Sequence, residues 1–418
     1  MSAAPQLRIA VVALHTSPYG APGSGDVGGM NVLIRATAER MAALGHHVEV
    51  ITRRFSPSLP RVQTLSPNIT LRFIDAGPPE LRPKAEQEQY IDEFHDGLEL
   101  LGDFDIIHSH HWLSGMAALP FAKNRRIPHV QSFHSIAADA TTELAEGERP
   151  ESAGRMPGET WLARHSDAIV AVSHAEERTI LERLGAPRQR VHVVLPGVDA
   201  DLFHPDAQTT HPRRSVVAAA RIEPLKGLDL AIRTLAALDL KRDDEHHPEA
   251  PDELTPDLII AGGPTAGQER CLDELRTLAR ALRISDRVHF VGPLSRDALA
   301  ELLSHASAAL IPSHSETYGL VALEAAASGV PVLATPAGGL CEAVNDRTGV
   351  LVDSRDPQVW ADELHALLGD RPYADRLAAS ARRFALTRSW SRTTDETIAV
   401  YRSLLDTCTI AAELGATA

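Results

Sequence analysis

Cysteine is scarce in this chain. There are three, Cys271, Cys341 and Cys408, widely spaced and without a CxxC pair. That excludes a disulfide framework and a cysteine zinc site, and it fits a reducing cytosol. No apolar run approaches the roughly 20 residues that a membrane-spanning helix needs, so no transmembrane segment is expected. Met1 to Leu7 lead straight into the strand-like LRIAVVAL, with no basic stretch ahead of an apolar one. No secretory leader is expected, and a cytoplasmic location is. Positive charge is also short: 41 Lys and Arg stand against 56 Asp and Glu, a formal net charge of -15. Neutralising a phosphate backbone needs the opposite balance, so no nucleic-acid partner is expected. An anionic substrate would have to be met by individual cations in clefts, against the field of the whole chain.

At 418 residues the chain is too long for one ordinary core, and two domains of about 200 residues are the natural division. Hydrophobic residues at 44% and charged residues at 23% argue against disorder or coiled coil. Short apolar strands are expected at Ile9–Leu14, Val48–Ile51, Leu71–Ile74, Ile106–His110, His129–Phe133, Ala168–Val172 and Val191–Val194, with helices such as Met30–Leu44, Tyr90–Leu101 and Glu176–Leu184 between them. The turn-rich PGVDADLFHP, Pro196–Pro205, reads as a linker. A second series follows at Val216–Ala220, Leu258–Ala261, Val288–Val291, Ala308–Ile311 and Val330–Ala334, with helices at Leu275–Leu282 and Asp297–His305. The fold class is α/β: two doubly wound, mostly parallel domains with a ligand cleft at the carboxyl ends of the strands. The charged KRDDEHHPEAPDELTPD, Lys241–Asp257, is expected as a solvated surface insertion, its His246–His247 pair being loop histidines rather than a metal site.

Four constellations carry chemistry. GDVGGMN, Gly25–Asn31, closes a Gly/Pro loop where a helix begins, and its glycines and free N–H groups suit a phosphate. It is not GxGxxG, which disfavours a nicotinamide-linked enzyme. ARIEPLKG, Ala220–Gly227, places Arg221 and Lys226 after a strand of the second domain, where two cations can neutralise a departing diphosphate. Ordinary solvated cations at a strand–helix junction explain that pair about as well. SETYGLVALEAAASGVPVLAT, Ser315–Thr335, sets Glu316 in a loop and Glu324 eight residues on, roughly two turns inside an Ala-rich helix. Its N-terminal N–H groups near Tyr318, Gly319 and Leu320 could hold a phosphate, and the carboxylates could accept from sugar hydroxyls. The fourth is a series of strand-end histidines, His15, His108, His110, His111 and His134. His108 and His110 share one strand face and His111 takes the other. No acid stands nearby to complete a metal site, so core or hydrogen-bonding roles are expected, with His15 and His134 facing the cleft.

Together these motifs resemble the retaining GT-B glycosyltransferases of family 4, over nearly the whole chain. SETYGLVALEAAASG resembles that family's EX7E motif, ARIEPLKG its diphosphate-binding Arg and Lys, and PGVDADLF its interdomain connection. The loop His15–Asn31 and IHSHHWLSG, Ile107–Gly115, look most like the actinobacterial branch that opens mycothiol synthesis, moving N-acetylglucosamine from its UDP-sugar to an inositol phosphate. The resemblance implies two Rossmann-like domains, residues 1–198 for the acceptor and 199–389 for the nucleotide-sugar, with a C-terminal helix at 390–408 crossing back onto the first.

The resemblance also implies roles. His134, Arg221, Lys226 and Glu316 would form the catalytic centre, without metal or cofactor. Gly29, Arg221, Lys226, Glu316, Gly319, Leu320 and Glu324 would hold the donor, Glu324 on the ribose. His15, Asp26, Asn31, Lys84, His111, Ser135 and Arg155 would hold a small phosphorylated acceptor. Ser135 replaces a threonine of the family. His111 stands where the family has a phosphate-contacting tyrosine, and Leu294 where it has an arginine near the donor. A charged His111 would make acceptor binding weaken as pH rises through about 6 to 7. A nucleotide-sugar epimerase and a non-catalytic sugar-nucleotide sensor are disfavoured by the paired carboxylates with the GGMN loop and by the retained Arg221 and Lys226. Assembly as a homodimer is left open.

Overall fold

The computed structural model of the protein describes residues 5–20, 26–138, 151–206, 215–244 and 256–415. Gly25 and the His246–His247 pair lie outside the described residues. The chain forms two sheets. The first contains β1 (Arg8–Val12), β2 (His47–Arg53), β3 (Val62–Ser66), β4 (Ile69–Ile74), β5 (Ile106–His110), β6 (His129–Ser132), β7 (Ala168–Ala171) and β8 (Val191–Val193). The second contains β9 (Ser215–Ala219), β10 (Asp257–Ala261), β11 (Val288–Gly292), β12 (Ala308–Ile311), β13 (Val332–Ala334) and β14 (Val350–Leu351). The helices that shape the cleft are α1 (Gly29–Ala43), α2 (Trp112–Arg125), α3 (Arg155–His165), α4 (His174–Glu182), α5 (Leu320–Ala327) and α6 (Trp390–Gly415).

The strand orders are β3-β4-β2-β1-β5-β6-β7-β8 and β11-β10-β9-β12-β13-β14. All neighbours are parallel except β3, which runs antiparallel to β4. The central strands β5, β6 and β7 are buried along their whole length, as sheets covered on both faces require. In each sheet the order reverses once, between β1 and β5 and between β9 and β12. A doubly wound sheet opens a crevice at that point, where adjacent connections leave to opposite faces.

The Pro196–Pro205 segment, expected as a linker, is packed: Val198 bridges to Ser389, and Phe203 is fully buried in the second domain's core. The chain thus crosses between the domains twice, side by side. The insertion expected from Lys241 begins inside a helix, Leu228–Asp244. Glu324 is the fifth residue of α5, just over one turn in rather than two. Helix α6 lies on the first domain, where Ile398, Val400 and Tyr401 join the core.

Candidate functional site

A cleft of about 960 Å³ separates the two sheets at the carboxyl ends of their strands. On the first domain His15 follows β1, His111 follows β5, His134 and Ser135 follow β6, and Arg155 opens α3. On the second, Arg221 follows β9, Leu294 follows β11 and Glu316 follows β12. Every site residue named from the sequence lines this cleft, His15, Asp26, Gly29, Asn31, Lys84, His111, His134, Ser135, Arg155, Arg221, Lys226, Glu316, Gly319, Leu320 and Glu324. The two switch points place His15 against His111, their ring centroids 4.3 Å apart, and Arg221 near the loop that carries Glu316.

The second domain's wall is a set of ion pairs. Lys226 is presented by a one-turn 3-10 helix, Pro224–Lys226, and its Nζ donates to Glu316 Oε2 at 2.7 Å. The Arg221 guanidinium lies 2.9 Å from Glu223 and 3.8 Å from Asp26 across the cleft. Arg296, which the sequence reading missed, holds Glu324 Oε1 at 2.6 Å and lies over the Phe203 ring at 4.6 Å. Leu294, two residues earlier, also lines the cleft, and its neighbourhood is the one signal in the sequence that could have drawn attention to Arg296. Glu324 is 2% exposed with Oε2 unpartnered among the described residues. Burial raises its pKa, opposed by Arg296.

Two helix starts face each other here. Gly319 caps α5 with φ +95°, a left-handed conformation that disfavours side chains, and a Cβ there would meet Leu340 Cδ1 at 2.5 Å. Gly29 opens α1, and a Cβ on it would stand 3.2 Å from Leu320 Cδ1. The free N–H groups of both helices therefore border one space, which suits an anion. Asn31 serves the glycine loop: it accepts from Gly28 N–H at 3.0 Å and donates to Ser17 O at 3.0 Å.

The first domain's wall holds unmatched polar groups. Arg155 is 2% exposed. It donates from Nε to Glu159 at 2.8 Å, from a terminal nitrogen to Glu151, and from its other terminal nitrogen to the carbonyl and hydroxyl of Ser135, both at 3.0 Å. Lys84 starts the 3-10 helix Lys84–Tyr90. Arg53, also missed in sequence because it ends a buried strand, donates to Pro78 O at 2.8 Å and Glu80 O at 2.7 Å and so holds the segment leading to Lys84. The cleft's carboxylates, Asp26, Glu151, Glu223, Glu316 and Glu324, each sit within ion-pair distance of an arginine or lysine. Among the described residues none is within that distance of Lys84. Burial, then repulsion from Arg155, lowers the Lys84 pKa, opposed at longer range by Glu151 and Asp26.

His111 is 2% exposed, and both of its ring nitrogens lack partners among the described residues. Its pKa is held well below 6.5 by burial and then by His15, Lys84 and Arg155. The expectation that it gains charge near neutral pH is therefore corrected: without an anion beside it, the ring is neutral. His134 takes a left-handed backbone, φ +60°, and its carbonyl accepts from the Thr317 hydroxyl of the second domain at 2.7 Å. Among the described residues no group of three or more His, Cys, Asp or Glu is placed to hold a metal ion.

Residues 23–396 match the family model described as "Family 4 Glycosyltransferase in conflict systems". The D-inositol 3-phosphate glycosyltransferase of Nocardiopsis dassonvillei is 38% identical over 411 residues, covering 95% of this chain and 94% of that protein. Its counterpart from Jonesia denitrificans is 36% identical over 417 residues, covering 95% and 96%. Among solved structures, sucrose-phosphate synthase from Thermosynechococcus elongatus superposes with a TM-score of 0.86 at 24% identity, over 96% of this chain and all (100%) of that one. HepE from Anabaena, solved with UDP and glucose, gives a TM-score of 0.70 at 18% identity, over 97% and 100%. The two doubly wound domains are the GT-B fold, and the chain belongs to glycosyltransferase family 4.

Proposed function

We propose that this glycosyltransferase moves N-acetylglucosamine from its UDP-sugar to a phosphorylated polyol, 1D-myo-inositol 3-phosphate, with retention of configuration. One observation carries the acceptor half. Lys84 has no carboxylate partner among the described residues, and it stands with Arg155, Ser135 and the unpartnered His111 on one wall. An anion is the missing partner, and a phosphate with several acceptor oxygens matches these donors.

On the other wall Arg221 and Lys226 take the diphosphate, neutralising the charge that develops as UDP leaves. The α1 start at Gly29 approaches it from across the cleft. Glu324, with one free oxygen, accepts from the ribose, and Glu316 and His134 from or to the sugar hydroxyls. The acceptor oxygen attacks the face from which the diphosphate departs, and the leaving phosphate oxygen takes the acceptor's proton. Residues 1–198 with the helix 390–408 serve the acceptor, and 199–389 serve the donor. The cleft's carboxylates already face arginine or lysine, so turnover is expected to survive excess EDTA.

The test is a matrix of UDP- and GDP-sugars against inositol 3-phosphate, unphosphorylated inositol and other polyols, with wild type and Lys84→Ala. Preference for the phosphorylated acceptor, lost in Lys84→Ala, is expected. Equal use of both acceptors by wild type would refute the acceptor assignment. A different family 4 donor or acceptor is the second reading, favoured by His111 and Leu294 standing where the family has tyrosine and arginine. The same assay separates an epimerase, which needs no acceptor, and a sensor, which turns nothing over.

A further inference from the structure

His134 is held from behind by another histidine. His110 Nδ1 and His134 Nε2 lie 2.7 Å apart. The ring centroids are 5.0 Å apart and the planes within 21°, so the rings meet edge to edge in a shared plane, as an N–H···N bond requires. Both rings are neutral: burial brings the His134 pKa down to about 3 and holds His110 well below its ordinary value. Two neutral imidazoles at this distance share one proton, and one facing nitrogen must donate while the other accepts.

His110 is itself backed by a fixed ring. His108 stacks on it at 4.1 Å. The Ser132 hydroxyl donates to Val170 O, so it accepts from His108 Nε2 at 2.9 Å, and His108 Nδ1 in turn accepts from the Tyr401 hydroxyl at 2.7 Å. The C-terminal helix α6 thereby supports a file of rings that ends at the cleft.

We propose that His110 is a positioning residue that sets the tautomer of His134, and so decides whether His134 donates or accepts a hydrogen bond at its remaining nitrogen, Nδ1. A neutral imidazole has one donor and one acceptor, and the partner of one nitrogen dictates the role of the other. If Nε2 accepts from His110, Nδ1 carries the proton and meets a sugar oxygen as a donor. If Nε2 donates, Nδ1 meets a sugar hydroxyl as an acceptor. The functional consequence rests on the reading of His134 as a donor-sugar residue; the tautomer link does not.

The experiment compares His110→Phe, which removes the hydrogen bond but keeps a ring against His108, with His110→Asn, which returns an amide near the place of Nδ1. Long-range proton–nitrogen spectra of protein with isotope-labelled histidine report the tautomer, with His134 assigned by the signals missing from His134→Gln. Wild type should show His134 in a single tautomer, and His110→Phe a mixture. With a UDP-sugar, kcat should fall about 10–100-fold in His110→Phe, the range seen when the hydrogen-bond partner behind a metal-bound histidine is removed, while UDP affinity stays unchanged and His110→Asn recovers most of the rate. A mixed tautomer in wild type, a single one in His110→Phe, or equal rate losses in the Phe and Asn variants would overturn the inference. Should wild type turn over no UDP-sugar, the proposed function fails, and the spectra still decide whether His110 controls His134. Should His110→Phe not fold, the wild-type spectrum decides it, requiring a single tautomer of His134.

Discussion

Lys226 and Glu316 neutralise each other across the cleft wall, as do Arg296 and Glu324. Under the proposed function, an entering donor must share or replace these partners, so each pair couples binding to side-chain rearrangement. Replacing Arg221 or Lys226 with Ala should lower kcat/KM by about 10–10³-fold, roughly 2–4 kcal/mol of transition-state stabilisation, in protein shown to be folded by circular dichroism. Wild-type kinetics in both variants would remove them from the leaving-group site. Glu176 makes a different prediction. Burial raises its pKa to about 7, although its carboxylate accepts from Val172 N–H at 2.7 Å. Between the unfolded value of 4.5 and about 7, the folded state holds more protons than the unfolded one. Stability contributed by the protonated acid is therefore complete below pH 4.5 and lost as pH rises towards 7, on the order of 3 kcal/mol. Denaturant melts of wild type and Glu176→Gln at acid and alkaline pH should show the variant gaining on wild type at the higher pH. An identical difference at both would mean that Glu176 does not titrate in this range.

Helix α5 is short, and its start depends on one residue. Gly319 supplies a left-handed turn with no room for a Cβ beside Leu340. Gly319→Ala should cost about 1–3 kcal/mol from backbone strain, with further loss from the contact, and it should displace Leu320 and Glu324 enough to weaken UDP binding. Thermal unfolding and UDP titration would measure the two effects, and wild-type values in both would show the turn to be dispensable. Elements of this kind were unevenly legible. The expected strand positions fall on real strands because parallel strands covered on both faces are continuous apolar runs. Strand β3 escaped because its residues VQTLS are exposed or half-buried at an edge, and β14 because it has two residues. Helix α2 escaped because it is apolar nearly all round and contains Pro120, leaving no amphipathic period to read.

The two domains touch at more than the crossing chain. Glu342 accepts from His174 N–H at 3.0 Å and Ala175 N–H at 2.9 Å, capping α4 of the opposite domain. Thr317 bonds the His134 carbonyl beside Glu316. These contacts tie the two domains together across the cleft. Glu342→Ala should open the ligand-free molecule, raising its radius of gyration in small-angle scattering, and saturating UDP should bring it back by bridging Gly29 to Arg221 and Lys226. A radius identical to that of wild type, with and without UDP, would show that Glu342 does not hold the domains together.

Local chemistry was written in the sequence. Apolar runs specified the strands, and the spacing within one strand–turn–helix unit set Arg221 beside Lys226 after β9 and Glu316 beside Glu324 after β12. Pairings between distant segments were decided only by the tertiary structure. Arg296 meets Glu324, Tyr401 supports His108, and His110 meets His134 because the sheet order and the returning helix bring them together. The neutral state of His111 was decided in the same way. Its type and position suggested a ring that charges near neutral pH, but desolvation and nearby Lys84 and Arg155, cations from other parts of the chain, set its proton affinity.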